Sequence, residues 1–194
     1  MTDGTATATV ADTDTSGFLI ADGIRLESVR NDVQMIYVIG NGDTGYSETA
    51  GGWGSWSDDP GDHGVDIRFG TTPDAAASFA FTGLVNGTYR VSSAWTTGGT
   101  RPTDARYYID GGPTITLDQT IAPNDDTFEE VGWEDLFTVE VIDGSLTVNL
   151  ENAAGGSGGT ALIADALRLE LIPEPSAALL GGLGLLALLR RRRA

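Results

Sequence analysis

The sequence predicts an all-β fold: a jelly-roll-like antiparallel β-sandwich, followed by a short C-terminal hydrophobic helix. Two observations predict the sandwich. Short segments in which apolar and polar residues alternate recur along residues 45–172, and glycine-bearing turn signals separate them. The composition agrees, because 27 Gly with abundant Thr, Asp and Ala suit strands and tight turns better than helices. The helix is predicted from residues 177–189, which are almost wholly Ala, Leu and Gly.

Eight strands are predicted in the sandwich, at 65–69, 75–81, 88–95, 105–110, 114–117, 136–141, 145–150 and 161–171. Alternation is clearest in the third, where Tyr89, Val91 and Trp95 share one face. Turn chemistry separates the strands. Asn86-Gly87 and Asp143-Gly144 are typical hairpin signals, because Gly adopts a positive φ at no steric cost.

Charge and cysteine content exclude several classes of function. The formal net charge is −17, and four of the eleven basic residues lie in the last five positions, so the rest of the chain is more acidic still. Such a surface repels nucleic acid and anionic lipid headgroups, so we expect no nucleic-acid partner. The chain has no Cys, which excludes a disulfide, a thiolate metal site and a cysteine nucleophile.

The C-terminal tail predicts transient insertion into a membrane. As a helix, residues 177–189 would span roughly 20 Å, which is short against a hydrocarbon core about 30 Å thick. The arginines that follow are Arg190, Arg191, Arg192 and Arg193. Basic residues beside an apolar run stay on the cytoplasmic side, so the residues before Pro173 would lie outside.

Pro173, Glu174 and Pro175, with the apolar run and the arginines after them, resemble the PEP-CTERM sorting signal of Gram-negative exopolysaccharide-producing bacteria. The resemblance implies a protein exported to the cell surface or extracellular matrix. It also implies a partner, the membrane protease exosortase, which would remove the signal near the Pro-Glu-Pro. The N-terminus lacks the basic start and apolar run of an export signal. We therefore expect another export route, or a chain that is part of a longer product.

An internal repeat suggests the domain organisation. Residues 19–27, LIADGIRLE, recur as residues 162–170, LIADALRLE, with seven of nine positions identical. We expect residues 1–30 to be the C-terminal strand pair of a truncated upstream copy of the domain. Residues 31–44 would form a linker with a short strand, 45–172 the sandwich, and 173–194 the sorting signal. In both copies we expect the Asp to cap a loop and the Arg to lie on a sheet surface.

A second resemblance covers residues 45–171. It rests on Gly52-Trp53, on residues 79–91 followed by Trp95, on residues 104–110, on Asp118-Gln119, on Trp133 and on residues 164–169. This pattern is similar to the golvesin C-terminal-like domain, also found beside xanthan lyases and related to galactose-binding-like sandwiches. The resemblance implies a non-catalytic accessory module that binds carbohydrate, with exopolysaccharide or another glycan as its partner.

The candidate ligand-binding residues lie in one segment, 51–63. Trp53 and Trp56 have small or polar neighbours, as on a loop, and His63 is the only imidazole in the chain. An exposed aromatic ring can stack on a sugar ring, and polar groups around it set the orientation. The alternative for Trp53 is a place in the sandwich core, and this alternative remains open at the level of sequence.

Asp58, Asp59 and Asp62 form an oxygen-rich cluster in the same segment. Such a loop can hold a structural Ca²⁺, although its spacing matches no EF-hand and an ordinary solvated loop is the alternative. No other cofactor is indicated. With one His and no Gly-x-Ser-x-Gly motif, we expect no enzymatic activity. The competing function is a purely structural spacer or assembly domain of a larger surface protein.

Overall fold

The computed structural model describes residues 35–57, 61–152 and 161–173, which lie in the unit that spans residues 34–194. Within these ranges the chain forms strands and no helix, which confirms the all-β prediction. The strands are β1 (Ile36–Gly40), β2 (Tyr46–Ala50), β3 (Trp53–Ser57), β4 (Asp66–Gly70), β5 (Ala76–Thr82), β6 (Gly87–Ala94), β7 (Ala105–Tyr108), β8 (Thr114–Leu117), β9 (Asp126–Phe128), β10 (Val131–Val141), β11 (Ser145–Asn152), β12 (Leu162–Ala164) and β13 (Ala166–Leu171).

The strands form three antiparallel sheets. The first sheet has the order β1-β13-β6-β10-β9, the second β2-β5-β11-β7-β8, and the third, with three strands, β12-β4-β3. The predicted strand pair of residues 1–30 and the predicted helix at 177–189 fall outside the described residues. No helix in the described part of the chain has the length and apolar character needed to span a membrane.

The main core lies between the two five-stranded sheets. Tyr89 and Leu169 of the first sheet and Phe79, Tyr107 and Val148 of the second are all at most 1% exposed. Their positions follow the two-residue period of strands, which turns every second side chain toward the opposite sheet. Full burial of one such side chain contributes about 1.5–3 kcal/mol, so this face determines the register of the strands.

The predicted short strand of the linker belongs to the sandwich. In the structure, Ile36–Gly40 is the edge strand β1, with Ile36 opposite Glu170 and Gly40 opposite Ala166 of β13. Ile39 is 7% exposed and contributes to the main core. The segment expected to lie between domains is therefore structured by its pairing with a strand more than 120 positions away in the sequence.

Three strands were not predicted: β2, β3 and β9. Their sequences are YSETA, WGSWS and DTF, which contain few β-branched or aliphatic residues. Each is held by a neighbour instead, β2 by β5, β3 by β4 and β9 by β10. β3 corrects the expectation that Trp53 and Trp56 lie on a loop.

Candidate functional site

The hairpin of β3 and β4 presents an aromatic surface. Trp56 lies opposite Ile67, and Gly54 lies opposite Phe69. Because side chains alternate along a strand, all four positions share one face of the sheet. A Cβ on Gly54 would come within 2.5 Å of Cζ of Phe69, so only glycine leaves room for the Phe69 ring in this position. Gly54 therefore allows the Phe69 ring to lie over β3, on the same face as the Trp56 ring.

This surface forms one wall of a pocket of about 440 Å³. The pocket is lined by Trp56, Ile67, Phe69, Thr97, Thr100, Arg101 and Ala161. Its floor is apolar, because Ile67 and Ala161 belong to a second core cluster with Trp95 and Ile163. Trp56 differs from the floor residues in being 64% exposed. A large exposed ring beside a concave surface with both apolar and polar lining residues is typical of a ligand site.

The loop after β6 also lines the pocket, and hydrogen bonds hold it in place. The Arg101 guanidinium donates from Nε to the Thr96 carbonyl at 3.2 Å and from Nη2 to Thr96 Oγ1 at 3.4 Å. The Ala161 amide donates to the Thr100 carbonyl at 3.2 Å. Trp95, 4% exposed, donates from Nε1 to the Ile121 carbonyl at 2.9 Å. Thr97, Thr100 and Arg101 are thus presented to the pocket by an ordered loop.

The chemistry of the pocket suits a ligand with one apolar face and several hydroxyls. Trp56 and Phe69 offer ring faces, the two threonines offer hydroxyls that donate and accept, and Arg101 offers a positive charge. Among the described residues lining the pocket, Arg101 is the only one with an ionisable side chain. Stacking and hydrogen bonding are the interactions that this arrangement can offer to a ligand.

Trp53 faces away from this pocket. It alternates with Gly54 along β3, packs against the main core and donates from Nε1 to the Ala50 carbonyl at 2.7 Å. Of the two tryptophans in the predicted site, Trp56 lines the pocket and Trp53 supports the sandwich. The structure therefore separates two residues that the sequence placed together.

His63 lies on the outer face of the first sheet. Its backbone N–H donates to both carboxylate oxygens of Asp165, at 3.0 and 3.1 Å. Its ring packs edge-on against Trp133 with the centroids 5.8 Å apart, and Nε2 is 4.0 Å from Oε2 of Glu129. His63 is not among the residues lining the pocket of Trp56. Asp165 acts here as the loop anchor that the sequence predicted.

The predicted calcium site is only partly within the structure. Asp58 and Asp59 lie outside the described residues, and Asp62 is half-buried with an interaction of its own. In residues 35–57, 61–152 and 161–173, no three His, Asp or Glu side chains are grouped closely enough to hold a metal ion. The assignment of Ca²⁺ to these three aspartates remains a prediction.

Arg168 corrects the expectation of an arginine on a sheet surface. It is 1% exposed and lies over the Trp133 ring at 5.0 Å and the Phe128 ring at 5.5 Å. Its Nη2 donates to Oδ2 of Asp126 at 2.8 Å, and this bond is the main reason that the pKa of Asp126 is below its ordinary value. The Phe128 ring comes from β9 and the Trp133 ring from the start of β10, and both lie against the buried guanidinium.

Arg168 also borders a second, polar pocket of about 360 Å³ on the same face. Its charged walls are paired with each other: Arg90 bonds Glu170 and lies 3.4 Å from Asp135, while Arg168 bonds Asp126. Sequence reasoning missed this network. The signal was present in the repeat, because Arg25 and Glu27 stand at the positions of Arg168 and Glu170.

Comparisons with known proteins agree with this architecture. The sequence model of the golvesin C-terminal domain matches residues 37–171. The chain is similar to a solved xanthan lyase from Paenibacillus, with a TM-score of 0.57 and 22% identity over 71% of this chain and 13% of the lyase chain. It is also similar to the GH26-CBM35 β-(1,4)-mannanase of Podospora anserina, with a TM-score of 0.52 and 13% identity over 73% of this chain and 29% of the other.

These likenesses show a shared fold. The matched region spans less than a third of either solved chain. No curated protein matches the chain.

Proposed function

The chain belongs to the golvesin C-terminal domain family, and we propose that it is a non-catalytic module that binds glycans in the pocket beside Trp56. One observation carries the proposal. The Trp56 ring is 64% exposed and borders a pocket with an apolar floor. A ligand that stacks on this indole removes apolar surface from water, and this burial favours binding.

A pyranose ring fits the chemistry of this pocket. Its C–H face is apolar and can stack on Trp56 or Phe69, while its hydroxyls are directed outward toward donors and acceptors. Thr97 and Thr100 can exchange hydrogen bonds with hydroxyls, and the Arg101 guanidinium can donate to a ring or hydroxyl oxygen. Stacking provides affinity for sugars in general, and the polar residues select among them.

The names of the two structural relatives agree with this proposal. One is a xanthan lyase and the other a GH26-CBM35 β-(1,4)-mannanase, so both are named for polysaccharides. At 22% and 13% identity they support only the fold.

We further propose that the module acts outside the cell. The tail that begins at Pro173 has the order of a PEP-CTERM signal, with an apolar run and then four arginines. On this proposal an exosortase-type protease is a partner, and the apolar run holds the chain in the membrane until it is processed. A surface or matrix protein would meet exopolysaccharide at this location.

The test is a glycan array with the full chain and two variants. We expect the wild type to bind a subset of glycans, and Trp56→Ala to bind them at least about tenfold more weakly, a loss of about 1.4 kcal/mol. Val65→Ala is the matched control, because Val65 is 81% exposed near the same hairpin and does not line the pocket. It should bind as the wild type does.

Two outcomes would reject the proposal. The first is a wild-type chain that binds no glycan, which favours the structural spacer. The second is a Trp56→Ala variant that binds as well as Val65→Ala, which moves the site elsewhere. Thermal unfolding of both variants should match the wild type, because both side chains are largely exposed.

A further inference from the structure

Three aliphatic side chains are exposed at one end of the sandwich. Val85, in the turn from β5 to β6, is 48% exposed, and Ile142, in the turn from β10 to β11, is 72% exposed. Ile172, directly after β13, is 38% exposed. We call these three residues the apolar end.

The backbone pairing brings them to the same end. Val141 lies opposite Gly87, so Ile142 is next to the turn that carries Val85. The Leu84 amide donates to the Gly144 carbonyl at 2.9 Å, which joins the two turns directly. The Ile172 amide donates to the Thr88 carbonyl at 2.8 Å, which places the end of β13 beside them.

The chain leaves the described part of the structure at this same end. Pro173 follows Ile172, and the apolar run begins at Ala177. Four residues of fully extended chain span at most roughly 14 Å. Any surface that the apolar run enters therefore lies within reach of the apolar end.

We infer that the apolar end rests on the lipid bilayer into which the tail inserts, with Val85, Ile142 and Ile172 at the boundary between headgroups and acyl chains. This inference rests on the proposed membrane insertion of the tail and is independent of glycan binding. Once the tail is inserted, it already holds the sandwich near the bilayer. Exposed aliphatic side chains can then contact the acyl chains at little further cost in entropy.

The charge around the apolar end indicates which lipids it meets. Asp143 follows Ile142 directly, and its carboxylate accepts bonds from the amide and hydroxyl of Ser145 at 3.1 and 3.2 Å. Glu140 is exposed nearby. These carboxylates and the net charge of −17 disfavour anionic headgroups, so the surface suits zwitterionic lipid and shallow contact.

The same geometry directs the Trp56 pocket away from the membrane. β6 begins at Gly87 beside the apolar end and ends at Ala94, and Thr97, Thr100 and Arg101 of the pocket follow it. Eight residues of strand span roughly 27 Å. The two sites thus lie at opposite ends of one strand, and a membrane-held sandwich would present its pocket outward.

The chain has no Cys, so a single introduced cysteine labels one position cleanly. Ile142→Cys and Val85→Cys carry a fluorophore at the apolar end. Val65→Cys and Ile121→Cys are the matched controls, since both residues are exposed. The Ile121 carbonyl accepts a hydrogen bond from Trp95, which directly follows the far end of β6. Each full-length labelled chain is reconstituted in phosphatidylcholine vesicles that contain a nitroxide-labelled lipid.

We expect strong quenching and a blue shift at positions 142 and 85, and neither at 65 and 121. If the chain inserts but all four labels are equally bright, or all four are equally quenched, the orientation is wrong. If the chain does not associate with the vesicles, tail insertion and this inference fail together. Glycan binding is measured separately, so its failure affects neither outcome.

Discussion

At the scale of single residues, Arg168 shows how a charge can be buried in this fold. Its guanidinium lies over two aromatic rings, Trp133 and Phe128, and bonds the Asp126 carboxylate. Cation–π contact and a charge-assisted hydrogen bond replace part of the hydration that burial removes, while the Nε of Arg168 is buried without a hydrogen-bond partner in the described part of the chain. From sequence alone, an arginine on a strand is expected at the surface. The burial of Arg168 could not be predicted, because the two rings and the carboxylate around it come from other strands.

We predict that Arg168→Ala destabilises the domain by about 2–4 kcal/mol, because it leaves a void between two rings and removes the partner of Asp126. Arg68→Ala is the matched control. Arg68 pairs with Glu48 at 2.6 Å, but both side chains remain more than a quarter exposed, so we expect a loss below about 1 kcal/mol. Urea unfolding followed by tryptophan fluorescence measures both. Equal losses would contradict the structural role of the buried Arg168 guanidinium.

Asp126 should make stability depend on pH in a defined direction. Its pKa in the folded protein is lowered, first by the hydrogen bond from Arg168 and then by that from the Thr127 amide. A carboxyl with a depressed folded pKa contributes stability above its unfolded pKa, and loses it as pH falls through the folded pKa.

We therefore expect the wild type to be more stable than Asp126→Asn at neutral pH, with the difference shrinking below about pH 4. Urea unfolding of both chains across this range measures it. A difference that is constant or grows on acidification would show that Asp126 does not titrate as the geometry requires. Asp118→Asn, at an exposed turn, is the control for a general effect of removing one charge.

At the scale of elements, β12 shows how a side chain can replace a missing strand. β12 pairs with β4 on one edge. On its other edge, the Ile163 amide donates to Oε1 of Gln119 at 2.9 Å, and the Ile163 carbonyl accepts from Nε2 of Gln119 at 2.9 Å. A carboxamide has the donor and acceptor of a peptide group, so this buried Gln satisfies both backbone groups.

Gln119→Leu should cost about 2–4 kcal/mol, because it leaves the buried N–H and C=O of Ile163 and the hydroxyl of Tyr107 with one partner fewer. The Ile163 amide should also exchange with solvent much faster. Asn149→Ala is the control, since its bond to Asp110 is long, at 3.5 Å, and exposed. If Ile163 stays protected in Gln119→Leu, the amide is not held in this way.

At the scale of the whole molecule, the sequence predicted the strands in which apolar and polar residues alternate. It did not predict the strands that are ordered by pairing with a neighbouring strand. Alternation and turn glycines predicted the sandwich and most strands of both large sheets. β3 was missed, because WGSWS has no strand pattern of its own and is held by pairing with β4. β9 was missed in the same way, since its three residues are ordered by β10.

Of the residues that line the candidate site, the sequence predicted one. Trp56 was identified from its small and polar neighbours, and the structure places it beside a pocket. Phe69 and Arg101 were not identified, because no motif links them to Trp56. They meet only after β4 pairs with β3 and the loop after β6 folds back. The apolar end and the pocket lie at opposite ends of β6, which no local pattern in the sequence could indicate.

The proposed contact between Trp56 and a glycan can be measured in solution. The four indole N–H groups report on it directly in a ¹H–¹⁵N spectrum of the protein titrated with an array-selected glycan. Trp53, Trp95 and Trp133 donate to the carbonyls of Ala50, Ile121 and Phe128 and are largely buried, whereas Trp56 is exposed. We predict that the Trp56 signal, assigned by its loss in Trp56→Phe, shifts in a saturable way while the other three move little. A Trp56 signal that stays in place while the glycan binds would show that the glycan does not contact Trp56.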